Sequence, residues 1–547
     1  MVDHKWLLFD DGSEAAAERA QIFEKNPADW NKEDLYRLAA GGRDVWNMAM
    51  EMWPGERVDF TGLRFDHGFD GYIFKKGVDF AHATLREVSF VGTVFGDSDG
   101  VGDGSSVMVR FNHAKFHGPA NFEHIKVYDA DFHFSHLDVL GLKRFYFRVS
   151  NDNSDVASSV AYLSIHDVEF KETQVLISNV VGANCNISLN RLKIHNTTSF
   201  TVVNEIPEDQ VGGTSIQVTN CVFEESSCAI RGGYKNLLFI GNRGNLILCE
   251  FSQIKLKFGF FHVSGNRFES GALSLMGLRI AAKRVTFCNN NLCEGVSILD
   301  SDFKLENTKE EEFDNEIQFY DNTVGGKRFF IKKCEFFGHV DFSGSVFDSA
   351  FGFDEVTFDI LPDMRLTKVG SHFSSEGMRV LRDDFEGDKN LSDKYRRFKE
   401  LAIAARDHDR ELEYFAKEMR AKMQSESSFW KKFAISLYGK TSDFGCSIEK
   451  PLHGLVRTIL FTGIVLFFMA PYSDCLSDGD RFLNVLKLTL QNIVPFLPIS
   501  KLGFKDAYET LFPDGHFGAD IVLGIEGLLG FIFLFLIGLA LRNRFRL

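Results

Sequence analysis

The chain has 547 residues, more than one ordinary hydrophobic core holds, so at least two folded units are predicted. Its net charge is −15, and this acidic balance argues against a protein that binds nucleic acid through phosphate contacts. The nine cysteines form no Cys-x-x-Cys pair, so we interpret them as free thiols in a reducing compartment. The amino terminus lacks a basic segment followed by an apolar one, so no secretory signal is predicted.

Residues 1–56 are predicted to form a helical cap. The segment Asp34–Trp53 has a helical pattern and lies directly before a long repetitive region. A repetitive fold needs such a cap, because its terminal unit otherwise exposes an apolar face to water.

The repetitive region begins near residue 58 with a period of five. Val78-Asp-Phe80, Ala83-Thr-Leu85 and Val88-Ser-Phe90 keep strict register, and the pattern returns at Val340-Asp-Phe342. Neither a helix nor a strand has a period of five residues. The pattern therefore predicts a coil with flat sides, in which the apolar pair of each side points to the axis and the next coil stacks on top. The 57 phenylalanines fit one such position repeated many times.

The middle of the region follows a longer rule, apolar-x-x-Asn-x-apolar. Its anchors lie roughly 20–30 residues apart, which suits one coil of an irregular parallel β-helix. We expect each asparagine to occupy a tight corner in the left-handed conformation and to bond the backbone of the next corner. One solenoid is predicted over 57–375. The anchors are Cys221, Asn242, Asn266, Asn290 and Asn322.

These five-residue units resemble the pentapeptide-repeat family, with Phe at most central positions. The resemblance implies a right-handed quadrilateral β-helix with four repeats in each coil, interrupted here by one-residue slips such as that between Phe116 and Phe122. The family often carries a Gly-x-x-x-Trp-Asn helix before its first repeat, which corresponds to Gly42, Trp46 and Asn47 in this chain.

Residues 376–450 are predicted to be a helical connector. Tyr395, Phe398 and Ala402 recur at helical spacing, and a second helical pattern follows Asp407, so an amphipathic hairpin is expected over about 392–424. After it, aromatic residues and lysines lead towards the apolar end of the chain.

Residues 451–547 are predicted to be an α-helical membrane domain with two spans. The apolar runs Thr458–Ser473 and Ile521–Leu541 approach the roughly 20 residues that a helix needs to cross a bilayer. Basic residues flank the outer ends of both runs, so the positive-inside rule places both termini and the solenoid in the cytoplasm. We therefore expect a multi-pass protein of a bacterial inner membrane. The flanking residues are Lys450, Arg457, Arg542, Arg544 and Arg546.

The segment between the spans resembles a pore loop. Phe482–Val494 is amphipathic and too short to cross, and it stops at Pro495-Phe-Leu-Pro498. A half-crossing helix that breaks into extended backbone survives at membrane depth only when it is buried in protein or lines water. The order of elements resembles the two-transmembrane ion-channel unit, and the connector resembles that of bacterial pentapeptide-repeat proteins with a C-terminal ion-channel-like domain. The resemblance implies a homo-oligomer, fourfold in the ion-channel case.

The candidate pore or filter residues lie in this loop and in the second span. No Gly-rich filter follows the short helix, so potassium selectivity is not supported. For Gln491 and Asn492 the alternative is capping of the short helix, and for Glu526 it is a place near the outer interface. Three glycines of the second span, Gly524, Gly527 and Gly530, favour close helix packing. The candidates are Gln491, Asn492, Pro495, Phe496, Leu497, Pro498 and Glu526.

No catalytic, cofactor or metal constellation is found, so we expect no enzyme. A histidine cluster in the first coils (His113, His117, His124, His133 and His136) is interpreted as solvated surface. The leading hypothesis is an oligomeric ion channel coupled to a cytoplasmic β-helix that senses an unidentified ligand or protein. The alternative is a membrane-anchored interaction scaffold that does not conduct; an acidic nucleic-acid mimic and a solenoid glycan enzyme fit less well.

Overall fold

The computed structural model describes most of the chain and divides it into two compact units, Met1–Asp383 and Asp384–Leu547. The described residues are 13–96, 107–128, 130–139, 142–149, 160–178, 186–196, 199–204, 213–257, 259–305, 316–326, 328–348, 350–370, 372–382, 388, 390–470, 477–493 and 498–545.

Unit 1 begins with three helices, α1 (Glu14–Glu24), α2 (Lys32–Ala40) and α3 (Arg43–Met52), and a 3₁₀ turn at Pro27–Asp29. The single helix expected over 34–53 is thus two helices, because Gly42 adopts a φ of 96° between them. The predicted helical cap is confirmed.

The Trp-Asn pair of α3 joins the cap to the first coil. The indole of Trp46 is fully buried and its Nε1 donates to the carbonyl of Ile73 at 2.9 Å. The carboxamide of Asn47 donates to the carbonyl of Gly71 and accepts from the amide of Ile73. These bonds satisfy polar groups that the terminal coil would otherwise leave unpaired.

The rest of unit 1 is built from short strands. The first half comprises β1 (Arg57–Asp59), β2 (Arg64–Phe65), β3 (Ile73–Phe74), β4 (Gly77–Asp79), β5 (Thr84–Arg86), β6 (Val94–Phe95), β7 (Val107–Arg110), β8 (Lys115–His117), β9 (Ala120–Val127), β10 (Ala130–Ser135), β11 (Arg144–Val149), β12 (Val160–His166), β13 (Glu169–Lys171), β14 (Gln174–Ser178), β15 (Asn186–Asn190), β16 (Lys193–His195), β17 (Phe200–Asn204), β18 (Ser215–Thr219), β19 (Val222–Tyr234) and β20 (Asn236–Ile240). The second half comprises β21 (Arg243–Lys257), β22 (Phe260–Ser264), β23 (Arg267–Met276), β24 (Arg279–Ala282), β25 (Arg284–Cys288), β26 (Asn291–Leu292), β27 (Val296–Leu299), β28 (Asp302–Leu305), β29 (Glu316–Gln318), β30 (Thr323–Val324), β31 (Arg328–Lys332), β32 (Glu335–Phe337), β33 (His339–Asp341), β34 (Val346–Phe347), β35 (Ala350–Asp354), β36 (Val356–Ile360), β37 (Lys368–Val369), β38 (Phe373–Ser374) and β39 (Met378–Arg382).

These strands form a parallel β-solenoid of about 11 turns, as the sequence predicts. In the first turn Val58 pairs with Val78, so one coil takes four repeats of five residues. The central aromatic residues point inward and stack from coil to coil, with the rings of Phe80 and Phe111 5.0 Å apart and those of Phe111 and Phe134 4.8 Å apart. Such stacking adds to the stabilisation that burial of the rings provides.

The asparagines of the middle coils form a buried ladder. The side-chain oxygen of Asn266 accepts from the backbone amide and from the side chain of Asn242, both at 3.0 Å. Asn290 repeats this pattern with Asn266, and Asn322 repeats it with Asn290. The predicted bond to the neighbouring backbone is confirmed.

The predicted left-handed conformation of these asparagines is wrong. Positive φ values lie one residue earlier, 67° at Gly241, 65° at Gly265 and 54° at Asn289. The turn residue takes the left-handed conformation, so the asparagine after it can direct its side chain into the core.

A related corner carries histidines in the first coils. His82, His113 and His136 all have positive φ, and their exposed rings stack at 4.9 and 4.8 Å. Among the described residues, only His113 and His136 of the five histidines in the predicted cluster take part in this stacking. At the other end of the solenoid β39 pairs with β36, so paired strands continue beyond 375 to Arg382.

Unit 2 consists of α4 (Leu391–Ala405), α5 (His408–Ser425), α6 (Phe429–Ser442), α7 (Glu449–Met469), α8 (Asp478–Ile493), α9 (Pro498–Leu511) and α10 (Phe517–Arg544). The predicted connector hairpin is confirmed as α4 and α5, which turn at Arg406 with a φ of 60°. The buried carboxylate of Glu418 joins the two helices by accepting from Arg396 at 3.2 Å and from Lys399 at 2.6 Å.

Helices α7 and α10 are long and apolar enough to cross a membrane. Helix α10 extends beyond the predicted second run at both ends, whereas α7 begins nine residues before the predicted first run and ends at Met469, four residues before its end. With 21 residues, α7 is nevertheless long enough to span. Large apolar side chains stand exposed along them, including Phe461 at 70%, Phe468 at 79% and Leu528 at 62%. An apolar surface of this extent marks an interface with lipid or with protein.

Candidate functional site: the end of the short helix α8

Helices α7 to α10 pack around a small apolar core. Side chains from all four helices contribute to it, so the segment between α7 and α10 is folded against these two helices. The buried members of this core, which join the segment between α7 and α10 to these two helices, are Leu466, Ala470, Val485, Leu488, Ala507, Leu511, Phe512, Ala519 and Leu523.

Arg481 fixes the start of α8 to the end of α7. Its Nη2 donates to the carbonyl of Phe467 at 2.6 Å and to that of Ala470, and its guanidinium lies 4.7 Å from the Phe467 ring centroid. The last carbonyls of a helix have no partners within the helix, and a cation there is favourable. The sequence analysis missed this residue.

The other end of α8 meets α10 through Asn492. Its Nδ2 donates to the carbonyl of Leu523 at 2.8 Å and to Oε2 of Glu526 at 3.0 Å. Glu526 is only 1% exposed, and its Oε1 has no hydrogen-bond partner in the described part of the chain. A carboxyl group removed from water in this way is costly unless it is paired.

Glycines of α10 allow this contact. A Cβ on Gly530 would lie 3.3 Å from Ile493, and one on Gly527 would lie 3.5 Å from the Asn492 side chain. Both therefore face α8, as close packing requires. Gly524 meets nothing within 4 Å, so the packing role predicted for it is not seen among the described residues.

Gln491 turns towards α9 instead. A Cβ on Gly503 would lie 2.2 Å from its Nε2, and its Oε1 is buried without a partner among the residues that the structure describes. The last turn of α8 thus holds one carboxamide against α9 and the next against α10. The side-chain hydrogen bonds of Asn492 are to α10. Capping of α8, the alternative in the sequence analysis, is not seen for this side chain among the described residues.

Of the remaining candidate filter residues, the structure describes only one. Pro495, Phe496 and Leu497 lie outside the described residues, and Pro498 is the first residue of α9. The chain is therefore helical from Pro498 onward, and the predicted extended backbone does not continue past it. Proline at a first helical position and the aromatic spacing of Phe504 and Tyr508 were signals for α9 that the sequence analysis did not use.

Two further residues shape the connection from α9 to α10. The Tyr508 hydroxyl donates to Oδ1 of Asp520 at 2.6 Å, and this hydrogen bond raises the pKa of Tyr508. Nδ1 of His516 accepts from the amide of Ala519 at 3.2 Å and so caps α10. Neither residue was singled out from the sequence.

A charged cavity of about 450 Å³ lies between α5, the loop after α6 and the last turn of α10. Asp443 on its wall accepts from Arg420 at 2.8 Å and forms an ion pair with Lys450 at 3.3 Å. Partial burial acts to raise the pKa of Asp443, but these hydrogen bonds outweigh it and lower the pKa. Six charged side chains line the cavity, namely Asp409, Glu413, Lys417, Arg420, Asp443 and Arg544.

Comparison of the chain with protein-family models, with curated proteins and with solved structures finds no match. Pentapeptide-repeat character therefore remains a resemblance of the sequence. Among the described residues, no group of three His, Cys, Asp or Glu side chains could hold a metal ion.

Proposed function

We propose that this protein is a homo-oligomeric membrane pore coupled to a cytoplasmic β-solenoid that binds a ligand or protein partner. One observation carries the proposal: a helix too short to span ends against a spanning helix at a buried carboxyl–carboxamide pair. The 16 residues of α8 reach about 24 Å, which is less than the roughly 30 Å of a bilayer core.

The depth of Glu526 supports the proposal. It lies nine residues into α10, about 13 Å from the start of a helix about 42 Å long. Ionisable residues at such depth usually face a cavity or a partner and mark pathways of ions or substrates. Within one chain, the partner of Glu526 is Asn492. In the proposed conducting state, water reaches this pair of side chains.

The exposed side of α8 supports assembly around an axis. Leu483 is 53% exposed and Leu490 is 49% exposed, while Lys487 is exposed beside them. One hairpin cannot enclose a channel, so these faces would meet in the assembled protein. The resemblance to two-transmembrane channels favours four copies.

The flanking charges support the orientation. Lys450 stands in the first turn of α7 and Arg457 in its third turn, directly before the apolar run, and Arg542 and Arg544 stand at the end of α10. The positive-inside rule then gives a multi-pass protein of a bacterial inner membrane with both termini in the cytoplasm. The proposal includes no enzymatic step and no nucleic-acid partner.

The test is ion flux in proteoliposomes made from the full-length protein. We expect flux under a membrane potential, and we expect Glu526→Gln to change its rate or selectivity. Gly524→Ala is the matched control, because a Cβ there meets nothing within 4 Å. Intact oligomers that carry no cation or anion flux at any voltage would overturn the proposal.

The second candidate is an anchored scaffold that does not conduct. It is favoured by the fact that Glu526 finds a hydrogen bond inside its own chain, with no need of a pore. Replacement of residues 453–547 by an unrelated two-span anchor discriminates the two, since a scaffold would keep its cellular function and a channel would lose it.

A further inference from the structure

Helix α6 presents an unpartnered apolar face. Phe429 is 73% exposed, Trp430 76%, Phe433 52% and Leu437 51%, and Ser442 is the buried residue of this helix. Apolar side chains that pack a helix against its own protein are normally buried, so this face is available to something else.

The charge pattern of α6 indicates what that is. Successive residues of a helix are rotated by about 100°, so the four apolar residues share one side. Lys432 falls at one border of this side, and Lys440 lies on the same side near the end of the helix. Lys431 points away from it, and no acidic residue occurs between Phe429 and Ser442. A helix with an aromatic side, lysines at the border and end of that side and no acidic residue has the pattern of helices that lie in the plane of a membrane interface.

The acidic groups near α6 leave this basic character in place. Glu426 approaches Lys431 at 4.0 Å, and Asp443 is engaged by Arg420 and Lys450. A second copy of α6 packed on this side would bring Lys432 and Lys440 close to the same lysines of the first copy, which like-charge repulsion disfavours.

The attachment of α6 places it at the inner ends of the spanning helices. The Tyr438 ring lies 5.6 Å from that of Phe444. Nδ2 of Asn543, in the last turn of α10, donates to the carbonyl of Gly445 at 3.4 Å. Helix α7 begins four residues later at Glu449, so α6 leaves the unit where both spans reach the cytoplasmic surface of the proposed orientation.

We propose that α6 lies flat on the cytoplasmic leaflet and binds anionic lipid, with its aromatic side chains at the acyl boundary and its lysines on the headgroup phosphates. Anionic headgroups attract basic segments at this surface. The inference rests on the proposed membrane orientation but does not require conduction.

The experiment uses Trp430, the one tryptophan of unit 2; the other four, Trp6, Trp30, Trp46 and Trp53, belong to unit 1. Full-length protein is reconstituted in vesicles of phosphatidylcholine with one third phosphatidylglycerol, and the emission of Trp430→Phe is subtracted. We expect brominated phosphatidylglycerol to quench the Trp430 emission more than brominated phosphatidylcholine does. Aqueous iodide should quench only a small part of that emission.

Lys431→Gln, Lys432→Gln and Lys440→Gln combined should abolish the preference for phosphatidylglycerol. The matched control, Lys283→Gln, Lys304→Gln and Lys368→Gln, removes three exposed lysines from the solenoid and should preserve it. Quenching by iodide, protection from both quenchers as at a subunit interface, or equal quenching by the two lipids would each overturn the inference. Flux measured on the same vesicles separates such a result from failure of the proposed channel.

Discussion

Replacement of Asn492 by Leu tests the buried pair at the end of α8. The substitution removes both hydrogen bonds of the carboxamide, to Leu523 at 2.8 Å and to Glu526 at 3.0 Å. Glu526 would then have two buried oxygens without a partner, since its Oε1 already lacks one among the described residues. A stranded buried polar group costs about 1–3 kcal/mol and an unpaired charge somewhat more, so we expect a loss of about 3 kcal/mol.

A double substitution separates this cost from loss of packing. Asn492→Leu with Glu526→Met replaces the pair by apolar groups of similar shape, which is often nearly neutral. We therefore expect the double variant to lie within about 1 kcal/mol of the parent, with a coupling energy of at least about 2 kcal/mol. Glu526→Gln keeps an oxygen for the Asn492 bond and should also be nearly neutral.

The assay is unfolding of the full-length protein in mixed micelles of rising SDS fraction, followed by the helical signal in far-ultraviolet circular dichroism. A loss of about 3 kcal/mol shifts the folding equilibrium more than about 100-fold, well within its range. If the destabilisation of the double variant equals the sum of the two single effects, the two side chains are not coupled. That result would refute the argument that each of them stabilises the protein mainly through its bond to the other.

Three further changes probe the ladder, the helix contact and the charged cavity. Asn290→Ala should speed hydrogen exchange on the adjacent rungs by the equivalent of about 2 kcal/mol, while the exposed Asn245→Ala should not; equal exchange in both would contradict the ladder. Gly530→Ala should destabilise the α8–α10 contact, because its Cβ falls 3.3 Å from Ile493, whereas Gly524→Ala should be neutral or slightly stabilising; the SDS titration ranks them, and the reverse order would exclude this packing. Hydrogen bonds from Arg420 and Lys450 lower the pKa of Asp443 in the folded state, so its stabilisation is present above the unfolded-state pKa and is lost as pH falls through the folded-state pKa. Asp443→Asn should therefore lower stability at neutral pH and flatten its decline in acid, and an unchanged acid profile would contradict the assignment.

The sequence predicted the solenoid because its signal is local and repeated. Each apolar pair, such as Val78 and Phe80, predicts one side of one coil, and both of these residues are fully buried. The two long apolar helices α7 and α10 were equally visible from their apolar length. The two-helix form of the cap was missed, since a pattern of apolar residues does not show where Gly42 turns the chain.

The candidate site was predicted only in part because it depends on contacts between distant residues. Asn492 and Glu526 were both selected, but their hydrogen bond follows from how α8 crosses α10, which no spacing in the sequence specifies. Arg481 was missed for the same reason, since a lone arginine in an amphipathic segment normally indicates a solvated face. Helix α9 was missed because the segment Pro495-Phe-Leu-Pro498 was interpreted as the end of a helix, although Pro498 begins one.

The asparagine ladder also bears on how such a chain can lengthen. Every rung presents the same acceptor on one side and the same donors on the other, from Cys221, whose amide donates to Asn242, to Ser345, whose hydroxyl accepts from the Asn322 amide. The interval between rungs grows from 24 residues to 32 between Asn290 and Asn322 without a break in the bonding. Gene segments that encode one full turn with its asparagine could thus be duplicated or deleted in frame, and a turn that is eight residues longer keeps the same bonds between its asparagines.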